Sequence, residues 1–334
     1  MSVTLREVAE RAGVSRSAVS RTFTEGASVS EKTRRKVEAA AAELGYSPNA
    51  LASSLTTGRT KMIGLISNNF HNPVFLQVFD LFTRGLQNRG LRPLLVNLTD
   101  ETDPEGSVRM LQQYSVDGVI VASSTLPVTF ARAFRDAGMP VVHSFGRPAA
   151  SPNVHVVGID NVACGRLAIQ ALIERGYSRI AFLGGPESAT STQDRLSGFL
   201  SEMAKQSDVE ASFSFASAYA FEAGRVEMTR LLAEGPPAEA YFCGDDVLSI
   251  GALSAAQSHG LRVPEDIGLI GLNDMEMAGW QNINLTTIRQ PIGEIIEASI
   301  DLIAAMLVDP GQEPKARLFP CALVERGTLR PVSD

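Results

Sequence analysis

Arg16, Ser17, Ser20 and Arg21 share one side of the short run "AGVSRSAVSRTF" (residues 12–23), while Ala18, Val19, Thr22 and Phe23 share the other. Helical spacing of this kind gives one apolar face to bury and one polar face to present. An arginine on the polar face can donate two N–H bonds to the O6 and N7 of guanine, and a serine can reach a base edge or a phosphate. The chemistry implied is reading the major groove of DNA. For this segment alone, a plain solvated helix face is the alternative.

A second set lies far downstream. Asn69 and Phe75 occur in "SNNFHNPVF", Arg195 in "GGPESATSTQDRLSGF", Asp245 in "CGDD" and Asn273 in "GLND". These segments follow short β-branched runs, which places them at the carboxyl ends of strands, where open α/β sheets bind ligands. Asp160, in "GIDN", opens the second half of the chain. An arginine fork with Asp, Asn and aromatic faces suits a sugar or a nucleobase-sized molecule. Blander readings stand beside these: Asp160 or Asp246 capping a helix, Phe75 in the core, Arg195 paired with Asp194 or another surface carboxylate.

Catalysis is not expected. Four histidines (His71, His143, His155, His259) are scattered, and none sits near a GxSxG or HExxH motif. "GGP" at 184–186 lacks the Lys-Ser/Thr of a phosphate loop, and "GDD" at 244–246 reads more readily as a cap plus a ligand contact than as an acid–base pair. Cys164, Cys243 and Cys321 are far apart without a CxxC pair, so neither a disulfide framework nor a metal site is expected, and no cofactor is implied. No apolar run of about 18 residues and no secretory h-region is visible, so a cytoplasmic protein without membrane contact is expected.

The net charge of −7 divides unevenly: residues 1–60 hold nine basic side chains against six acidic ones, +3, which leaves −10 for the rest. A basic tip on an acidic body fits a module for a polyanion.

The elements that must position these residues are legible. Thr4-Leu5-Arg6-Glu7 fits a capping box, and Leu5, Val8, Ala9 and Ala12 make one apolar stripe that Gly13 ends. Ser15 caps the next helix; Ser30 caps a third that runs through Val37, Ala40, Ala41 and Leu44 to Gly45. Two short helices about a Gly-containing turn, braced by a third, form a helix-turn-helix. In "YSPNALASSLTTGRT" (46–60), Ser47 and Pro48 start a helix of under two turns, too short to persist in water unaided. It needs a partner, or else it is a flexible linker. From residue 61 the runs "KMIGLIS", "LRPLLVN", "VDGVIVA" and "MPVVHSF", then "RIAFLGG", "EAYFCGD" and "DIGLIGL", alternate with helical stretches. Two βαβ series predict two parallel-sheet lobes with a cleft between them.

"TLREVAERAGVSRSAVSRTF", "VSEKTRRKVEAAAAELGYSPNALASSL", "KMIGLI", "GLRVPEDIGLIGLND" and "LTTIRQP" together resemble the lactose-repressor (LacI/GalR) family of bacterial transcription regulators over nearly the whole chain. The resemblance implies an α/β chain with an N-terminal all-α helix-turn-helix domain (1–46), a hinge helix and linker (47–60) and a two-lobed periplasmic-binding-protein-like core (61–334). Lobe 1 would be about 61–159 plus 291–319, and lobe 2 about 160–290 plus 320–334. It implies operator choice by Arg16 and Ser17, a shared DNA contact at Arg21, further contacts at Thr4, Ser15, Ser20, Asn49 and Ala52, and a minor-groove wedge at Leu55. It also implies effector contacts at Ser191 and a stacking Tyr219. The partners expected are a pseudo-palindromic operator, a sugar-like effector and a second copy of the chain.

Two positions depart from the family pattern. Asp245-Asp246 replaces a common Asn-Asp, and Gly-Leu-Asn (271–273) replaces a common Gly-Tyr-Asp. An ionised Asp only accepts while Asn both donates and accepts, so the ligand pattern read should differ from that of relatives. A solute-binding or sugar-metabolising α/β protein with an accessory DNA domain is the competing expectation.

Overall fold

The computed structural model describes residues 3–24, 26–48, 54, 58–98 and 103–332. Its contacts divide into two compact units, residues 1–61 and 62–334.

The first unit is a three-helix domain: α1 (Leu5–Ala12), α2 (Arg16–Thr22) and α3 (Glu31–Leu44). The Thr4–Glu7 capping box is formed in both directions, with the Thr4 N–H donating to the Glu7 carboxylate at 2.7 Å. Gly13 ends α1 at φ 64, a left-handed conformation that a Cβ would strain. Ser15 and Ser30 cap α2 and α3, each accepting from the backbone N–H three residues on. Val8, Val19 and Val37, one from each helix, are fully buried, with Ala9, Ala40 and Ala41 around them. Small side chains let three short helices meet around so little apolar volume. Asn49, Ala52 and Leu55 of the expected hinge helix lie outside the described residues.

The second unit contains two six-stranded sheets among the described residues. In the first, the order is β11-β5-β4-β3-β1-β2, all parallel: β1 (Met62–Ser67), β2 (Arg92–Asn97), β3 (Gly118–Ala122), β4 (Val141–Ser144), β5 (His155–Ile159) and β11 (Ala316–Phe319). Helices α4 (Val74–Asn88), α5 (Pro104–Gln113), α6 (Val128–Asp136) and α11 (Ile292–Val308) belong with this sheet, α11 packing on α4, β3 and β4. In the second, the order is β12-β10-β9-β8-β6-β7, parallel except for β12: β6 (Arg179–Gly184), β7 (Glu210–Phe215), β8 (Ala240–Cys243), β9 (Gly268–Asn273), β10 (Thr286–Arg289) and β12 (Ala322–Val324). Its helices are α7 (Asn161–Ile173), α8 (Thr190–Met203), α9 (Phe221–Glu234) and α10 (Asp246–Ser258).

The chain passes between the sheets where β5 gives way to α7, where β10 gives way to α11, and between β11 and β12. Strands β5, β7, β10, β11 and β12 complete the seven that the apolar runs predict. The central strands of both sheets are buried on two faces, which is why β1, β3 and β9 read as near-continuous apolar runs. Among the described residues, no helix is long and apolar enough to cross a membrane.

Candidate functional site

In the helix-turn-helix, α2 turns Val19 and Thr22 into the core and leaves Arg16, Ser17 and Arg21 exposed, with Ser20 half-buried at the edge. The turn is stiffened locally. Ser15 Oγ accepts from the Ala18 N–H at 3.2 Å and lies 2.9 Å from Ser17 Oγ. Arg21 Nε folds back toward the Ser17 carbonyl at 3.4 Å, and Arg34 donates to the Thr22 carbonyl at 3.0 Å, tying α3 to the end of α2. The Arg16 side chain is left exposed, with no hydrogen bond to another of the described residues. Thr4 is occupied by its capping box at the start of α1.

In the second unit, a cavity lies between the carboxyl ends of the two sheets. It is lined by Asn69, Phe75, Arg195, Asp245 and Asn273, five of the eight effector residues expected from sequence. Its free space is only about 30 Å³. Phe75 serves both readings offered for it: it is 5% exposed in the core and its face borders the cavity.

Arg195 does not pair with Asp194. Neighbouring residues on a helix point about 100° apart, so Asp194 turns outward to Arg147 of the first lobe (2.9 Å) while Arg195 turns inward. Arg195 Nε donates to Asn161 Oδ1 at 2.8 Å and Nη1 to the Gly244 carbonyl, which leaves Nη2 for the cavity. The helix that carries it is held close to α7 by two glycines. A Cβ on Gly198 would lie 2.0 Å from the Val162 carbonyl oxygen.

Asp245 and Asn273, the acid and amide exchanged relative to the family pattern, face each other: Asn273 Nδ2 donates to Asp245 Oδ2 at 2.8 Å. Asp245 Oδ1 caps α10 by accepting from the Val247 N–H at 2.9 Å. Burial pushes the Asp245 carboxyl up to about 6, against the pull of the Val247 N–H, Arg195 and two side-chain amides. Asp246 is not the cap. It is fully buried beneath the site, accepting from Thr287 Oγ1 and from the Met275 N–H at 2.8 Å, and burial pushes it to about 7. Asp246 therefore ties β10 and the segment that follows β9 to the start of α10 rather than lining the cavity.

Three expected residues do not line the cavity. Asp160 caps α7, accepting from the Ala163 N–H at 2.9 Å, the blander of its two readings. Tyr219 is buried behind α8: its hydroxyl lies 2.6 Å from Thr192 Oγ1 and 3.2 Å from Ser191 Oγ, and its ring covers Gly185. Ser191 is buried and its N–H donates across the cleft to the Ser124 carbonyl at 3.2 Å. The cavity instead gains Val74, Ser124, Phe145, Asn161, Gln290 and Ile292. Asn161 and Gln290 sit at two of the crossovers, a signal that the strand–helix alternation could have supplied. Among the described residues, no group of three His, Cys, Asp or Glu side chains is placed to hold a metal ion.

Comparison with known proteins agrees with this architecture. Residues 4–49 match the model for bacterial regulatory proteins of the lacI family, and residues 169–329 match the periplasmic binding protein-like domain. The HTH-type transcriptional repressor PurR of Escherichia coli O139:H28 is 33% identical over 332 residues, 98% of this chain and 96% of the relative; that of Proteus mirabilis is 32% identical over the same shares. The lac repressor dimer bound to operator and the anti-inducer ONPF superposes with a TM-score of 0.88 at 27% identity, covering 99% of this chain and all of that one. A CelR–cellobiose complex superposes at 0.72 with 29% identity, covering 98% and 99%. The chain therefore belongs to the LacI family of bacterial regulatory proteins and is a DNA-binding transcriptional regulator.

Proposed function

We propose that the protein is a homodimeric cytoplasmic repressor. It binds a pseudo-palindromic operator through two copies of α2 and changes its operator affinity when a small effector occupies the cleft. The observation that carries this reading is the outward face of α2, where Arg16, Ser17 and Arg21 stand exposed on a helix locked to its neighbours. One such helix covers only a few base pairs, so useful affinity and specificity need two half-sites and two protomers. The lac repressor dimer seen on its operator is a relative of the same architecture.

For the effector we favour a sugar or sugar derivative. Asn69, Arg195, Asp245 and Asn273 supply donors and acceptors for hydroxyls, and Phe75 and Phe145 supply apolar faces. The CelR relative was solved with cellobiose. Closure or opening of the cleft would change the spacing of the two DNA-reading heads, and a coupling of about 1–3 kcal/mol is enough to regulate occupancy.

The test is selection from random inverted-repeat duplexes with the full-length protein, read with and without cellobiose, monosaccharides and nucleobases. Enrichment of one two-fold symmetric site bound by two protomers, with affinity altered by a sugar, is expected. A monomer that enriches no sequence would overturn the reading, and a shift produced only by nucleobases would replace the effector class.

A further inference from the structure

Asn72 lies in the loop between β1 and α4, in the first lobe, and is 1% exposed. Its Oδ1 accepts from the Val74 N–H at 3.2 Å, which fixes the amide plane. Its Nδ2 then crosses the cleft and donates to Asp245 Oδ2 of the second lobe at 3.0 Å. That oxygen already receives the Asn273 amide, and Asn273 Oδ1 in turn accepts from Gln290. The Asn72, Asp245 and Asn273 side chains are thus satisfied by one another, and the cavity beside them has about 30 Å³ of free space. A ligand that bonds to Asp245 Oδ2 has to displace one of these protein amides.

The Asn72 bond differs from the side-chain links at the rim of the cleft, and from the Ser191 N–H bond to the Ser124 carbonyl in that it ends on a carboxylate. Arg147 to Asp194, and Thr190 Oγ1 to the Ser124 carbonyl at 3.0 Å, involve partly exposed side chains at the rim, where water competes. The Asn72–Asp245 bond is buried on both sides and ends on a carboxylate, so breaking it takes away one of the two donors on Asp245 Oδ2, away from water. Pro73 and Val74, which follow Asn72, and Asp274 and Met275, which follow Asn273, line an outer hollow of about 530 Å³.

We infer that Asn72 is the gate of the cleft: its amide occupies the acceptor on Asp245 that an effector must take, so the site selects ligands bearing an N–H or O–H donor able to replace it. This rests on the cleft being the effector site. Replacement of a protein amide by a ligand donor leaves Asp245 fully satisfied, whereas a ligand offering only acceptors there leaves its buried Oδ2 one donor short. The acid at position 245 is what makes this exchange possible, because an ionised carboxylate has no donor of its own.

The experiment has two arms. Hydrogen exchange by mass spectrometry on the unliganded full-length protein compares wild type with Asn72→Ala and Asn72→Asp in peptides spanning 67–76 and 243–249. Both variants are expected to exchange at least tenfold faster in these peptides with the sheet strands unchanged, Asn72→Asp the more so because it sets two carboxylates together. Equal exchange in folded variants, or a wild-type cleft already unprotected, would overturn the gate. If Asn72→Ala loses protection throughout, Asn72→Asp with protected strands decides. The second arm measures thermal shifts with cellobiose, glucose, ribose and hypoxanthine. A compound that stabilises the wild type should bind Asn72→Ala roughly tenfold more tightly, because its competitor is gone; unchanged or weaker binding would overturn the gate while leaving the cleft as effector site. Failure of every compound to bind alongside faster exchange in the variants would instead count against the effector class and leave the gate supported.

Discussion

Gly165 of α7 lies against the backbone of Arg195 on α8: a Cβ there would sit 2.2 Å from the Arg195 carbonyl oxygen and 2.9 Å from the Phe199 nitrogen. Neither is a flexible side-chain tip, so the two helices cannot absorb a methyl group without separating. Gly165→Ala should lower stability by about 1–3 kcal/mol, the range for overpacking, and should weaken effector binding because Arg195 moves with its helix. Gly13→Ala is the contrasting case. Nothing lies within 4 Å of its Cβ position, and the cost comes from φ +64 alone, about 1 kcal/mol. Urea unfolding of the two variants, with effector affinity measured alongside, checks both. Unchanged ligand affinity in a destabilised Gly165→Ala would separate packing from Arg195 placement.

Arg16 and Ser15 are adjacent but should fail differently. Ser15 holds the start of α2 through the Ala18 N–H, so Ser15→Ala should cost about 1 kcal/mol of helix stability and weaken binding to all DNA sequences alike. Arg16 points outward and holds nothing in the protein. Arg16→Ala should leave stability within about 0.5 kcal/mol and relax preference at one base pair per half-site by about 1–3 kcal/mol. Binding to a set of single-substituted operators reads the two patterns apart. A uniform loss with Arg16→Ala would make it a phosphate contact.

His143 is fully buried in β4. Its Nε2 donates to the Ser123 carbonyl at 3.0 Å, and its Nδ1 has no hydrogen-bond partner among the described residues. A proton on Nδ1 would be a buried donor with nothing to receive it, and burial holds the imidazole down to about 4. The unfolded chain takes up that proton near 6.5 and the folded one only near 4, so stability is present at neutral pH and lost as pH falls through this window. The loss reaches roughly 3 kcal/mol from this group by pH 4. The stability difference between wild type and His143→Leu, measured from pH 7 to pH 4.5, should shrink or reverse as pH falls. A constant difference would mean that the imidazole finds an acceptor on protonation.

The local code carried the reading head almost completely. The Thr4, Ser15 and Ser30 caps and the Gly13 and Gly45 stops are contacts within a few residues, so their spelling suffices to place three helices. The cleft was half legible. Asn69, Phe75, Arg195, Asp245 and Asn273 follow from strand ends, a rule that needs only the βαβ alternation. Asn72 bonds a residue 173 positions away, a pairing that nothing local records. Tyr219 and Asp160 look like ligand residues by type, but packing and capping use up their polar atoms. Strand β7, "EASFSF", hides because an edge strand exposed over much of its length lacks the apolar run of its neighbours. The apolar α11 escapes the alternation because it is a helix buried on the lobe that the chain left 130 residues before.

Asp246 should show the opposite pH behaviour to His143. It is fully buried, with the Thr287 hydroxyl and the Met275 N–H as donors and the Asp245 charge nearby, and burial raises its carboxyl to about 7. The unfolded chain releases that proton near 3.8 while the folded one keeps it to about 7. A carboxyl raised in this way favours the fold at low pH and loses that contribution as pH rises through the window, by up to roughly 4 kcal/mol. Asp246→Asn removes the titration. Its amide can accept one of the two donors but turns its NH₂ toward the other, so it carries a fixed penalty at every pH. The variant should therefore be clearly less stable than wild type at pH 4.5 and close much of the gap by pH 8. Asp245 titrates in the same region but is present in both proteins, so the difference isolates Asp246 to the extent that the two charges act independently. A gap that stays constant or widens with pH would show that Asp246 is already ionised in the folded protein at pH 4.5, its burial fully offset by Thr287 and Met275.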